Sequence, residues 1–397
     1  MSKKQELILM YQDEEVLSFL LDLDNSKVKM LDKLEGFDKA PYGMYGEEDE
    51  GELNRILYKF FNGRTLAETR HDYENISKAI GCKDSFELSF RGHGLSLSNH
   101  YWYRREDENL KYKDINFFTN KWDDSFARAV LTEDYDALSK CDLNVPDIVT
   151  DGWAVKGWLC EDVPKLYKLG ITKGHSEDSI AEVLSSRLAC RMFDESEVLK
   201  YELATIGGQY ASVSASMLGL DEEMVPLSDI LPIDVWELYF GKHRDKSMGA
   251  EFFRRVSKLG IPDLEDRFVK LFCLRCLCFV SDLHFDNISV IRHIPTGNIR
   301  MAPIYDLAGA FASSQGARDF LSTVNQATLM IVYFLYRGLE KDWDYSWYNP
   351  DSLIGFEDEI REYLSKSDFY TPDLIDNIIE VYNEQKKYLN EIACYIC

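Results

Sequence analysis

The stretch Ser281-Asp282-Leu283-His284-Phe285-Asp286-Asn287-Ile288 decides how the rest of the chain is interpreted. It follows a strongly apolar run over residues 268–280, which is typical of a buried helix, and leads into residues 288–293, which are typical of a strand. Asp282 and Asn287 stand five residues apart. A loop of this length can aim one carboxylate at an attacking hydroxyl group and one amide oxygen at Mg²⁺, a hard cation that prefers oxygen ligands.

A second acidic residue follows where a metal site of this kind needs it. Residues 288–293 and 299–304 flank Pro295-Thr296-Gly297-Asn298, and this order predicts a β-hairpin. The hairpin leads into Ala302-Pro303-Ile304-Tyr305-Asp306. Because the hairpin begins beside Asn287 and ends at Asp306, we expect the two side chains to share a metal ion.

The order Asp-x-His-x-x-Asn, hairpin, Ala-Pro-x-Tyr-Asp resembles that of the HipA-like serine/threonine kinases over residues 150–320. The same loop form is found in phosphoinositide lipid kinases. The resemblance implies ATP and Mg²⁺ as cofactors, with Asp282 as proton acceptor and Asn287 and Asp306 as metal ligands. His284 is expected to support the loop. The family usually has a lysine immediately before the asparagine, and Asp286 stands there in this chain.

The next candidate for a nucleotide-binding residue is a lysine inside a short apolar strand. Lys168 lies in residues 166–169 and is costly to bury unless an anion meets it. In kinases that anion is the nucleotide phosphate, together with a glutamate from the following helix. We predict this helix with Ser176 as its N-cap and Glu182 as the partner of Lys168. Glu177 is the second choice, since the helix dipole already explains an acid in the first turn.

A nucleotide-covering loop is expected just before that strand. Residues 150–158 contain two strand-like flanks around small residues, with Gly152 at the tip and Lys156 in the second flank as cofactor-binding candidates. An ordinary hairpin is an equal alternative. Two strand-like runs around Gly207-Gly208 predict a tight hairpin that leads to a hinge at residues 216–219. Repeated βαβ units with a Gly-x-Gly-x-x-Gly turn are absent from the sequence, which excludes a Rossmann fold.

The composition is compatible with this interpretation. The 397 residues allow two or three structural units, and 45% are hydrophobic. We predict an α+β, two-lobed, protein-kinase-like (HipA-like) fold with three parts: an N-terminal accessory region (1–145), a kinase small lobe (146–220) and a mainly helical large lobe (221–397). Residues 53–80 should form two helices interrupted at Gly63, and the accessory region contains no readable site. His100 in this region is expected to be structural.

Charge and cysteine usage bear on partners and location. The formal net charge is −24, with 69 acidic and 45 basic residues, so direct binding to nucleic acid or to an anionic membrane is not expected. The sequence contains no signal peptide and no span of about 20 apolar residues, which predicts a cytoplasmic protein. The pairs Cys273/Cys276 and Cys394/Cys397 have zinc-like spacing, but we interpret them as core cysteines.

Two other functions stay open from the sequence. An Asp-based metallohydrolase would use Asp282, Asp286 and Asp306 and would not need Lys168. A pseudokinase that acts as a binding module is favoured by Asp286 in place of lysine and by the glycine-poor loop. For the kinase we expect a protein substrate, and autophosphorylation stays open. The resemblance also implies an antitoxin-like partner.

Overall fold

Four antiparallel strands of the N-terminal region form the first sheet. The computed structural model of the protein describes residues 4–150, 152–170, 176–231, 254–280, 285–315, 318–319 and 344–394. The strands are β1 (Lys4–Tyr11), β2 (Glu14–Asp22), β3 (Lys27–Lys33) and β4 (Tyr101–Arg104), in the order β3-β2-β1-β4. Alternating residues such as Leu7 and Leu9 are buried, as expected for a sheet with one face on the core.

The described part of the N-terminal region contains five α-helices, and the sequence predicts the first two. They are α1 (Glu50–Asn62), α2 (Tyr73–Ile80), α3 (Ser85–Arg91), α4 (Tyr112–Ile115) and α5 (Ser125–Leu131). Helix α1 ends at Gly63 and α2 begins ten residues later, which confirms the predicted interruption. The carboxylate of Asp49 caps α1 by accepting the N–H of Glu52 at 2.7 Å.

The second sheet and one long helix lie in the middle of the chain. Strands β5 (Lys156–Leu159), β6 (Lys165–Lys168), β7 (Tyr201–Ile206) and β8 (Gln209–Ala215) form an antiparallel sheet in the order β5-β6-β8-β7, and α6 (Glu177–Met192) connects β6 to β7. Gly207 and Gly208 have φ of +57° and +79°. Both values suit the two-residue turn between β7 and β8, so the predicted hairpin is confirmed.

A 3₁₀ helix, Pro146–Val149, precedes Thr150, and Pro146 at its first position has a fixed φ that favours a helical start. Thr150 has extended backbone and residue 151 lies outside the described residues, so the predicted strand-like flank before Gly152 stays a prediction. One local prediction in this part is wrong. Ser176 stands at the N-cap of α6, but its backbone is helical and its side chain makes no capping bond. Its hydroxyl oxygen instead accepts the N–H of Tyr210 at 3.2 Å.

The strands of a third sheet lie before and after residues 281–288, called the decisive loop below. Strands β9 (Glu222–Pro226), β10 (Ser289–His293) and β11 (Asn298–Met301) pair in the antiparallel order β11-β10-β9. The predicted hairpin is therefore confirmed, whereas β9 was not predicted. The helices are α7 (Leu227–Ile230), α8 (Leu264–Cys278), α9 (Phe356–Leu364) and α10 (Pro372–Cys394).

Helix α8 is the centre of the largest core. Its apolar residues pack with those of α6, α9 and α10 in one hydrophobic cluster. Cys273, Cys276 and Cys278 are buried in this helix as free cysteines, as predicted for core residues. The burial of Cys394 and all of Cys397 lie outside what the structure describes. Within the described ranges, no helix has the length and apolar character needed to cross a bilayer.

Candidate active site

Lys168, at the end of β6, lies between two carboxylates that come from distant parts of the chain. Its Nζ atom is 3.0 Å from Oε1 of Glu182 in α6 and 2.5 Å from Oδ1 of Asp306. The side chains of Lys168, Glu182 and Asp306 are 14%, 1% and 34% exposed. The cluster is therefore closed at the helix and opens to solvent on the side of Asp306.

Glu182 is held in place by both neighbouring strands. Its second oxygen, Oε2, accepts a hydrogen bond from Ser212 in β8, the residue paired with Lys168 across the sheet. Ser179, one turn earlier in α6, donates its hydroxyl to the carbonyl of Lys168 at 3.1 Å. The strand and the helix are thus fixed to each other at the ion pair. The sequence indicated Glu182 but gave no signal for Ser212, because the register of β8 against β6 could not be read.

The charges of the cluster determine one another's protonation. Burial acts to raise the pKa of Asp306, but the charges of Lys168 and Lys156 outweigh it and lower the pKa to about 2. Burial acts to lower the pKa of Lys168, whereas Asp306 and Glu182 raise it well above its ordinary value. Burial raises the pKa of Glu182 against the opposing charge of Lys168. At neutral pH the cluster therefore contains an ammonium group and an ionised Asp306.

Two tyrosines set the position of Asp306. Its backbone has φ of +52°, an uncommon conformation for a residue with a side chain, and its N–H donates to the hydroxyl of Tyr201 at 3.3 Å. The hydroxyl of Tyr305 lies 2.7 Å from Oγ of Ser289 and donates to the carbonyl of Asp286 at 2.9 Å. These two contacts of Tyr305 lie on either side of Asn287 in the sequence. The segment that carries Asp306 is thereby attached to the loop that carries Asn287.

The decisive loop is described only in part. Asp282 and His284 lie outside the described residues. Asn287 ends a 3₁₀ helix, Phe285–Asn287, that is anchored by the buried ring of Phe285 against Phe268 in α8. Asp286 is exposed, and its carboxylate accepts a hydrogen bond from Ser228 in α7.

Gly152 and Lys156 lie beside the cluster. Lys156 pairs with Lys168 across β5 and β6, and its charge acts on Asp306. Gly152 has φ of +84°, and a Cβ atom added there would lie 3.0 Å from Nζ of Lys156. The positive φ favours glycine at this position, and the close approach shows that the side chain of Lys156 lies against the loop.

The N-terminal region contacts the predicted hinge, which the sequence analysis did not anticipate. After β8, the carbonyl of Gly219 lies 3.1 Å from Nε2 of His100, whose Nδ1 is 2.6 Å from the hydroxyl of Tyr112. The carboxylate of Asp221 accepts hydrogen bonds from Tyr11 at 2.7 Å and from Gln12 at 2.5 Å. His100 is buried, as expected of a structural residue, and it contacts the segment that the sequence predicts as the hinge.

The available donors suit a hard cation. Among the described residues there is no cluster of three or more His, Cys, Asp or Glu side chains able to hold a metal ion by itself. The ionised carboxylate of Asp306 and the amide oxygen of Asn287 are oxygen donors, the type that Mg²⁺ prefers. Mg²⁺ commonly takes only one or two protein ligands and completes its shell with other oxygen atoms, so donors of this type are chemically suited to it.

Comparison with solved structures identifies the fold. HipA of Shewanella oneidensis MR-1, solved with HipB and operator DNA as part of a toxin–antitoxin system, matches 98% of this chain and 99% of its own, with a TM-score of 0.53 at 11% sequence identity. The chain has a HipA-like kinase fold. The Helicobacter pylori proinflammatory kinase CtkA matches 61% of this chain and 94% of its own, with a TM-score of 0.38 at 12% identity. No protein-family model matches the chain, and no curated protein does so in sequence.

The HipA-like fold confirms the predicted fold class. It is α+β, with the β5–β8 sheet and α6 in one lobe and a mainly helical second lobe. At this low identity the likeness to HipA establishes the fold alone. Activity, cofactors and partners have to be argued from the residues of the site.

Proposed function

We propose that the protein is an ATP- and Mg²⁺-dependent phosphotransferase that phosphorylates serine or threonine residues of a protein substrate. The observation that carries this proposal is the contact of Lys168 with both Glu182 and Asp306. The three residues come from a strand, a helix and the end of a hairpin, and the sequence predicts each of them as a residue of the site. A kinase-type site requires this combination.

A purely structural ion-pair cluster explains the arrangement less well. Removing a lysine and two carboxylates from water is costly, and well-packed apolar residues are often at least as stabilising. The exposure of the cluster also increases from Glu182 to Asp306, so that the charged groups face outward on one side. This gradient supports a site that admits a charged ligand.

The chain's own groups would then have distinct roles. Lys168, oriented by Glu182, would bind the α- and β-phosphates, and backbone N–H groups of the loop at Gly152 together with Lys156 would approach the phosphate chain. Asn287 and Asp306 would hold Mg²⁺, which supplies positive charge against the phosphates when it is bound with ATP. Each of these residues orients the nucleotide or balances its charge.

The transfer step itself would depend on Asp282. It would accept the proton of the substrate hydroxyl, with His284 supporting the loop by hydrogen bonding. The hydroxyl oxygen bonds to the γ-phosphorus while the bond from that phosphorus to the bridging oxygen of ADP breaks. The products are a phosphorylated protein and ADP.

Asp286 is the residue that separates this proposal from its alternatives. A metallohydrolase built on Asp282, Asp286 and Asp306 would use the Asp286 carboxylate, whereas here it bonds to Ser228 in α7. A pseudokinase is favoured by the same position, where the resembling family has lysine. The Lys168 cluster has a role in a kinase and none in a hydrolase, and this supports the phosphotransferase.

Partner and location belong to the same proposal. HipA of Shewanella oneidensis MR-1 was solved with HipB, and we extend to this chain a partner protein of antitoxin type. The reaction is placed in the cytoplasm, where ATP is available and where cysteines such as Cys273 and Cys276, both free, stay reduced.

Offering γ-labelled Mg-ATP with either a cell lysate or phosphoinositide vesicles tests the substrate class. We expect label on protein, including the chain itself if it autophosphorylates, because a chain with 69 acidic and 45 basic residues is repelled by an anionic membrane. The Asp282→Ala variant is the control for background label. Efficient labelling of lipid, with no protein labelled above that control, would contradict the proposed substrate.

A further inference from the structure

Arg70 belongs to the N-terminal region, in the segment between α1 and α2, but its guanidinium group lies against the second sheet. Its Nε and Nη2 atoms donate to the two carboxylate oxygens of Asp72, both at 2.8 Å. Nη1 donates to the hydroxyl of Thr150, and Nη2 also donates to the carbonyl of Lys156 at 3.2 Å. Thr150 and Lys156 lie just before and just after the loop that contains Gly152.

The backbone of the same segment adds two bonds to the loop. The N–H of Ala67 donates to the carbonyl of Thr150 at 3.3 Å, and that of His71 donates to the carbonyl of Trp153 at 3.2 Å. Residues 67–72 therefore bind the loop at Thr150, at Trp153 and at Lys156. The side chain of Trp153 is 66% exposed, so this part of the loop lies at the surface.

The ion pair with Asp72 holds the guanidinium of Arg70 against the loop. Asp72 occupies the N-cap of α2, where a carboxylate would ordinarily accept a helix N–H, but its side chain bonds to Arg70 instead of capping the helix. Both side chains are 1% exposed. The planar guanidinium uses one edge for the carboxylate and has further N–H groups left for the loop, which a lysine ammonium cannot do in the same geometry.

From these contacts we infer that Arg70 is a positioning residue for the nucleotide-covering loop, so that the N-terminal region takes part in ATP binding. This inference rests on the proposed function. Lys156, whose carbonyl Arg70 binds, pairs with Lys168 across β5 and β6. If the ends of the loop shift, Lys156 and Lys168, the side chains proposed to bind the phosphates, shift with them. We therefore expect the affinity for the nucleotide to decrease.

Arg64 provides a matched control. It is buried to the same degree as Arg70, at 2% against 3% exposed, and lies in the same region. Its guanidinium donates to the carbonyls of Gly94 and Tyr101 and to the side chain of Asn99. Arg64→Lys therefore disturbs a buried arginine of the N-terminal region at contacts remote from the loop.

The experiment combines hydrogen exchange with nucleotide affinity. Exchange of peptides covering residues 152–158 is measured in the unmodified chain, Arg70→Lys, Arg64→Lys and Thr150→Val, and calorimetry gives the affinity for a non-hydrolysable ATP analogue with Mg²⁺. Thr150→Val removes one contact of Arg70 and leaves the pair with Asp72 intact, so it serves if Arg70→Lys does not fold.

We expect faster loop exchange and about tenfold weaker analogue binding in Arg70→Lys and Thr150→Val, the size of one lost charged hydrogen bond. Arg64→Lys should leave loop exchange unchanged.

The exchange reading needs no nucleotide and so separates this inference from the proposed function. Unchanged loop exchange in both Arg70→Lys and Thr150→Val overturns it, whatever the calorimetry gives. Equally fast loop exchange in the Arg64 and Arg70 variants also overturns it, since general damage to the N-terminal region would explain both. If the unmodified chain binds no analogue, the proposed function fails and the role in nucleotide binding fails with it.

Discussion

Asp306→Asn should abolish Mg²⁺-dependent turnover of ATP while the chain stays folded. The carboxylate is the anionic half of the proposed metal site, and an amide binds Mg²⁺ much more weakly than a carboxylate does. Removal of one electrostatic stabiliser of this kind typically lowers turnover by about 10² to 10³. Turnover is measured as ADP release over a range of Mg²⁺ concentrations, and circular dichroism reports on the fold.

The low pKa of Asp306 also predicts how the turnover of the unmodified chain depends on pH. Because Lys168 and Lys156 overcome the effect of burial and lower the pKa to about 2, the folded state favours the ionised carboxylate. The stability that this ionisation contributes is complete above the ordinary pKa of an aspartate and is lost as pH falls toward 2. Asp306 should therefore cause no acid limb in the turnover profile between about pH 5 and pH 9.

Asp286→Asn is the matched control for the metal assignment. It makes the same chemical change in the neighbouring loop, at a carboxylate that bonds to Ser228. A kinase should retain most of its turnover in this variant, whereas the Asp-based hydrolase would lose it. Near-normal turnover in Asp306→Asn, or equal losses in both variants, would contradict the role given to Asp306.

Asp282→Ala should lower phosphate transfer by about 10² to 10⁴, the usual contribution of a general base. Nucleotide affinity should change little, since Asp282 is expected to face the substrate hydroxyl and not the nucleotide. Transfer is measured with labelled ATP and affinity by calorimetry on the same preparations. A loss of ATP affinity as large as the loss of transfer would point to a structural role for Asp282.

The parts of the site that the sequence predicted are those carried by short-range patterns. Lys168 was found because a charged residue interrupts a short apolar strand, and Glu182 because a helix follows it. Gly207-Gly208 fixed the β7–β8 hairpin, since only glycine readily takes positive φ at two successive positions. Asp306 is a candidate because of its place after the hairpin that begins beside Asn287, and its proposed role comes from the resemblance to the HipA-like kinases.

The parts that were missed depend on contacts between distant segments. Arg70 is 80 residues from Thr150, and its role depends on packing between the N-terminal region and the second sheet. Strand β9 was missed because its partner is β10, more than 60 residues later, and an edge strand of five residues has a weak pattern of its own. The 3₁₀ helix Pro146–Val149 was not predicted, because an apolar pattern over four positions shows no period. The domain boundaries at 145 and 220 stay predictions.

Calorimetric titration with a non-hydrolysable ATP analogue tests the central claim most directly, namely that Lys168 and its two carboxylates form a nucleotide site. Lys165 lies on the same strand and pairs with Glu161 at 3.1 Å, so Lys165→Ala is the control for Lys168→Ala. We predict binding at one site that requires Mg²⁺, is at least about tenfold weaker in Lys168→Ala, and is unchanged in Lys165→Ala. Absence of binding to the unmodified chain, or equal affinity in Lys168→Ala, would contradict the claim.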